Sequence, residues 1–199
     1  IRDIKRWLEF RRCSSDLNTD IDRITVENAE LSGSLPTRGS RIDDLLLKNH
    51  FKTLEKKEHV DLLSPAGSHF PHYTEFGWIS ADPEVLTPSK STQWSVVDGQ
   101  NHLTPETPVT LTWSNGQGVT FFKQYTLDDQ FLISINQRIE NNTGRELRFF
   151  PYSLVSRHGL PEVLEKKMGG VYEGPIGYIG KDLKEFSYYS MMGAWVKMI

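Results

Sequence analysis

Two histidines three residues apart, His69 and His72, are the first residues whose spacing suggests chemistry, because a pair of imidazoles one helical turn apart can share a metal ion. Pro71 lies between them and excludes the helical turn that would aim both rings alike, and Glu75 is the only carboxylate close in sequence. They read as loop histidines, and no metal site is assigned. His50, His59, His102 and His158 are scattered without pattern. A second possibility is aromatic: Tyr73, Phe76, Trp78, Trp94 and Trp113 could line a cleft in which rings stack on the C–H faces of a sugar while Glu75 or Asp98 holds hydroxyls. Within that set Tyr73, Glu75 and Trp78 form the candidate cleft, and packing between sheets is the favoured reading of the rings. Adjacent carboxylates occur at Asp43-Asp44 and Asp128-Asp129, but neighbours in a strand point to opposite faces and neighbours in a turn diverge, so neither pair is placed for acid/base work. There is no Gly-rich phosphate loop, paired-cysteine zinc motif or Gly-x-Ser-x-Gly elbow. No catalytic residue and no cofactor is assigned, and the expectation is a chain that is not an enzyme.

The elements that must position these residues are mostly strands. Of 199 residues 37% are hydrophobic and 25% charged, enough apolar material for a core and too little charge bias for a disordered polyanion. The single cysteine, Cys13, excludes a small disulfide scaffold. No run of 18 apolar residues exists, so no segment reads as a membrane-crossing helix. Charge is uneven: Arg2, Lys5, Arg6, Arg11 and Arg12 against Asp3 and Glu9 give the first residues +3, which leaves −6 for the rest of a chain of formal charge −3. Ile1, Ile4, Trp7 and Leu8 fall at helical spacing there, so residues 1–19 are expected to form an amphipathic segment, either linker or extraneous to the domain. An acidic body does not suit nucleic acid.

From Asp20 the pattern changes to alternation and short β-rich runs. Strands are predicted at 23–28, 31–35, 41–48, 61–63, 73–79, 92–97, 109–113, 119–127, 131–140, 145–157, 171–172, 178–179 and 184–189. Turn chemistry separates them, including Ser64-Pro65-Ala66-Gly67, Ser114-Asn115-Gly116-Gln117-Gly118 and Asn141-Asn142-Thr143-Gly144. In 109–113 apolar residues take every second position, and Asn115-Gly116 is expected to supply the positive-φ residues of a tight hairpin. Phe131, Ile133, Ile135, Gln137 and Ile139 share one parity, which makes one face markedly more apolar. The fold expected is all-β, two packed antiparallel sheets with short helices at the N- and C-terminal ends, the domain occupying 20–190.

Several longer motifs occur in a fixed order. Arg38-Gly39-Ser40-Arg41-Ile42-Asp43-Asp44-Leu45-Leu46-Leu47-Lys48-Asn49 is followed by Leu62-Leu63-Ser64-Pro65 and Tyr73-Thr74-Glu75-Phe76-Gly77-Trp78. Then come Leu111-Thr112-Trp113-Ser114-Asn115-Gly116-Gln117-Gly118, Leu127-Asp128-Asp129-Gln130-Phe131-Leu132, Pro151-Tyr152-Ser153-Leu154-Val155-Ser156-Arg157 and Tyr172-Glu173-Gly174-Pro175-Ile176-Gly177. In this order, across roughly Asp20 to Tyr189, they resemble the large periplasmic domain of the YidC family of bacterial membrane protein insertases, most closely its alphaproteobacterial branch.

The resemblance implies a β-supersandwich related to galactose-mutarotase-like folds, facing the periplasm at the bacterial inner membrane. It also implies a non-catalytic role in inserting and folding inner-membrane proteins: a scaffold, a contact for Sec-translocon components, or a chaperone-like surface for nascent membrane proteins. The family's transmembrane helices, with their hydrophilic groove, are not in this chain, which therefore reads as a domain cut from between two spans. Residues before Asp20 do not resemble the family's linker, whereas Gly193-Ala194-Trp195-Val196 resembles the start of its membrane-proximal segment, so 191–199 is read as that beginning. Met191, Met192, Trp195 and Met198 are the candidate membrane-interface or partner residues. The alternative is a carbohydrate-binding or mutarotase-like module, for whose histidine and carboxylate pair no matching positions are found.

Overall fold

The computed structural model describes residues 22–159 and 174–188. Four consecutive strands open it: β1 (Arg23–Glu27), β2 (Leu31–Pro36), β3 (Asp44–Phe51) and β4 (His59–Leu63). They form an antiparallel meander joined by polar connections, and β1 alternates buried with half-exposed positions along its length. Next come β5 (His72–Ser80), β6 (Ser95–Val96), a 3-10 turn at Val97–Gly99, and β7 (His102–Leu103), which lies parallel to β1. Strands β8 (Val109–Ser114), β9 (Val119–Leu127) and β10 (Ile133–Asn141) make a second meander. Finally β11 (Phe149–Arg157) pairs back with β5, and β12 (Ile176–Ile179) pairs with β13 (Asp182–Glu185).

The ladders are a five-stranded sheet ordered β4-β3-β2-β1-β7, a four-stranded sheet β10-β9-β8-β6, and the two ribbons β11-β5 and β12-β13. This is the all-β sandwich of antiparallel sheets that alternation predicts, with one parallel pair, β1–β7, added. The expected terminal helices, the strand at 171–172 and Tyr189 lie outside the described residues. Several boundaries differ: β6 holds only Ser95–Val96 of the expected 92–97, and the last strand is Asp182–Glu185 rather than 184–189. The segment expected from Arg41 joins the sheet only at Asp44, because Ile42 instead bridges to Thr74 in β5. The long run from Arg145 becomes strand only at Phe149.

The core lies between the two main sheets. Ile24, Val26, Leu31, Leu35, Leu45 and Leu103 project from one side and Val109, Leu111, Val119, Phe121, Tyr125 and Leu127 from the other, with Trp78 and Trp94 between them. Phe121 is the hub: its ring centroid lies 5.1 Å from Trp78, 5.7 Å from Trp113 and 5.6 Å from Phe149, the last edge-on. Such pairs add about 1 kcal/mol each beyond the area they bury. In β10 the predicted parity holds for Ile133, Ile135, Gln137 and Ile139, which are half-buried while the residues between them are exposed, whereas Phe131, expected on the same face, precedes the strand and is exposed.

The β8–β9 turn works differently from the hairpin expected. Positive φ occurs at Gly116 and Gly118 rather than at Asn115. Asn115 is buried and uses its carboxamide oxygen to accept from the amides of Gln117 and Val119, at 2.8 and 3.1 Å. A side chain replaces the backbone turn because an Asn carbonyl reaches amides two and four residues on.

Candidate functional site

Ionisable groups concentrate where the loop joining β2 to β3 meets β5 and β9. Lys123 holds an inward-facing position of β9, at the same parity as Val119, Phe121, Tyr125 and Leu127. Its side chain is 2% exposed. The Nζ donates to Ser40 Oγ and to the Phe76 carbonyl, each at 2.6 Å, and lies 4.8 Å from the Trp94 ring centroid and 5.9 Å from that of Trp78. Burial lowers its pKa to about 7, and the negative field of Glu75 offsets only part of that. Tyr125 donates its hydroxyl to the Ser40 carbonyl at 2.9 Å, and burial raises its pKa. Ser40 is completely buried and held at a φ of 50°, a conformation costly for a residue with a Cβ.

A serine hydroxyl bonded to a desolvated lysine has the makings of a nucleophile and its base. Here both partners are sealed from solvent, so no substrate carbonyl reaches Oγ. In this conformation the pair is a strut between β9 and the loop.

A second strut lies alongside. Arg23 donates to Ser34 Oγ at 2.8 Å and to Asp43 Oδ1 at 2.5 Å. Burial still raises the Asp43 pKa, against the lowering effect of Arg23. Asp44 instead accepts from Ser34 Oγ at 2.7 Å. The adjacent carboxylates thus serve separate structural bonds. Asp128 likewise accepts from the amides of Gln130 and Leu132 in its own turn, each at 2.9 Å.

The cleft candidates divide between two faces. Tyr73 and Glu75 share one face of β5, and Trp78, at the opposite parity, is 4% exposed and packed on Phe121 and Trp94. The three therefore do not line one cleft. Glu75 accepts from Arg41 Nε and from the Tyr152 hydroxyl, both at 2.8 Å, and the Arg41 guanidinium lies 4.7 Å from the Tyr73 ring centroid. The Tyr152 ring passes directly over Gly77, where a Cβ would sit 2.7 Å from it. Burial, then the hydrogen bond to Glu75 and its charge, raise the Tyr152 pKa.

His69 packs edge-on to Phe70, while His72 sits in β5 with Nδ1 3.2 Å from Arg157 and its pKa lowered by burial and by that arginine. Among the described residues no group of three or more His, Cys, Asp or Glu side chains is close enough to hold a metal ion. None of their helices is long and apolar enough to cross a membrane. Met191, Met192, Trp195 and Met198 lie outside the described residues. Sequence reasoning overlooked Lys123 and Ser40. The available signal was parity, since the β9 alternation that buries Phe121 and Tyr125 also turns Lys123 inward.

The fold and this seam define a class: an all-β sandwich domain whose buried charges tie its layers together. The sequence pattern of the YidC periplasmic domain matches residues 23–197. Relatives named membrane protein insertase YidC are 42% identical over 168 residues in Methylobacterium radiotolerans and 38% over 169 residues in Nitrobacter hamburgensis, each covering 83% of this chain. One from Pelagibacter ubique is 37% identical over 177 residues, 87% of the chain. The chain belongs to the YidC periplasmic domain family and so faces the periplasm at the inner membrane. It spans 26%, 27% and 31% of the lengths of these three relatives.

Proposed function

We propose that this domain is the non-catalytic accessory part of a membrane protein insertase, helping to insert and fold inner-membrane proteins as a scaffold that Sec-translocon components or nascent membrane proteins contact. The observation that carries the reading is the family match across residues 23–197. The sealed polar seam supports it, because its ionisable groups serve internal struts rather than an open cleft. Met191, Met192, Trp195 and Met198 are the proposed membrane-interface or partner residues, their apolar bulk suiting that boundary.

The test is complementation: cells depleted of their own insertase receive the full-length protein with or without residues 22–188. Membrane-protein insertion is expected to persist without the domain and to lose efficiency. Complete loss, at normal abundance of the truncated protein, would refute an accessory role. The sugar-binding alternative retains Tyr73 and Glu75 on an outer face, but both Glu75 oxygens are already engaged. Calorimetric titration with a sugar panel separates the readings, saturable micromolar binding favouring the alternative.

A further inference from the structure

The seam around Lys123 combines three independent local costs. Its ammonium is enclosed with only neutral acceptors, Ser40 Oγ and the Phe76 carbonyl. Ser40 carries a positive φ although it is not glycine. The buried indole N–H of Trp94 has no hydrogen-bond partner among the described residues. Such costs lower the free energy needed to open the seam, which is expected to open before the sheets around it. The loop itself hangs on few backbone bonds: Thr37 N to Asp22 O, Gly39 N to Thr92 O, Trp94 N to Thr37 O, and the reciprocal Ile42–Thr74 pair.

We propose that Lys123 is a proton-operated latch, which fastens the 37–43 loop and β5 to β9 and releases them more readily as the pH falls from alkaline to neutral.

The direction follows from linkage. In the closed seam burial lowers the lysine pKa from the usual 10.5 to about 7. Once the seam opens and water reaches Nζ, the ordinary value returns, so the open form binds the proton more tightly. Opening therefore becomes easier as pH falls from 10.5 toward 7, and the effect saturates below 7. The neighbouring charges leave this intact. On β5 Glu75 favours the ammonium but is held by Arg41 and Tyr152. On the loop Asp43 is paired with Arg23, on β9 Tyr125 is bonded to the Ser40 carbonyl, and β8 has no titratable side chain. From β10, Gln137 donates to the Gly77 carbonyl at 3.3 Å. In the neutral form Ser40 can donate to Nζ, so both protonation states fit the closed geometry.

Amide hydrogen exchange on the 199-residue chain tests the latch. After correction for intrinsic exchange rates, opening at Gly39, Ile42, Thr74 and Trp94 is expected to rise about tenfold between about pH 8 and pH 6, with the β9–β10 ladder unchanged. Lys123→Met, of similar length and without charge, is expected to abolish that dependence. Should the variant fail to fold, the wild-type side chain decides: its Cε and Nζ resonances must titrate near neutral pH. Titration above about pH 9, or an equal pH response at every amide, would overturn the latch.

Discussion

Asn28 uses every hydrogen-bonding position of its carboxamide, which makes its replacement a quantitative test of how the two meanders are joined. The residue is 8% exposed, in the β1–β2 turn. Its Nδ2 donates to the carbonyls of Asp128 and Gln130, at 2.7 and 2.8 Å, across to the β9–β10 turn. Its Oδ1 accepts from the amides of Glu30 and Leu31, at 2.9 and 2.6 Å. Asn28→Ala removes all four. The two carbonyls and the Glu30 amide border solvent and regain water, so each costs about 0.5 kcal/mol, whereas the amide of fully buried Leu31 is left unpaired at about 1–2 kcal/mol. The expected total is about 3 kcal/mol, read as a lower urea midpoint at unchanged slope.

Asn28→Asp separates donors from acceptors. It keeps the bonds to Glu30 and Leu31 but sets a carboxylate against two carbonyl oxygens, with Lys48, which donates to the Asn28 carbonyl at 2.8 Å, softening the repulsion. The folded state then prefers the protonated acid, so the introduced pKa is raised. Stability is retained below the unfolded value of about 4 and lost as pH rises through the folded value. Relative to Asn28→Ala, this variant should therefore improve on acidification. A cost of Asn28→Ala below about 1 kcal/mol, or two variants that track each other at every pH, would refute the bridging role.

Three further substitutions, in two experiments, probe the polar seam and its neighbour. Arg23→Met leaves the buried Asp43 carboxylate unpaired and should cost about 2–3 kcal/mol at neutral pH, less in acid where Asp43 protonates, while Arg23→Met with Asp43→Leu should recover most of it in urea titrations. Glu75→Gln removes the charge and the carboxylate acceptor that help to raise the Tyr152 pKa, leaving burial against the lowering effect of Arg41, so phenolate absorbance should appear at lower pH than in the wild type. An unchanged phenolate titration would dissociate Tyr152 from Glu75.

Strands long enough to show a period could be read from sequence, and short or distant pairings could not. The nine residues Val119–Leu127 alternate so regularly that the predicted and observed strand coincide. Strand β7 has two residues, carries no period and is not among the predicted strands, and β6 keeps only two of the six residues expected at 92–97. The β5–β11 pairing leaves no local trace, since its partners are set by the sheets that bring them together. Parity also decides the candidate site: Tyr73 and Glu75 are two apart and share a face, while Trp78 is displaced by an odd number of positions and turns into the core. The same rule turned Lys123 inward, but residue type argues for the surface and obscures it. Asn115 was recognisable as a turn residue, and only the geometry shows that its side chain, not its φ, makes the turn.

The pairing of β5 with β11 has a consequence for how the chain is made. Strands β1 to β4 and β8 to β10 are neighbours in sequence and can zip locally as they emerge. Strand β5 waits for a partner that runs from Phe149 to Arg157, so this ribbon, like the parallel β1–β7 pair, closes a long loop and is expected to form late in folding. Until then an edge carrying Tyr73, Phe76 and Trp78 stays open, and during synthesis that edge is where mispairing with another chain would begin.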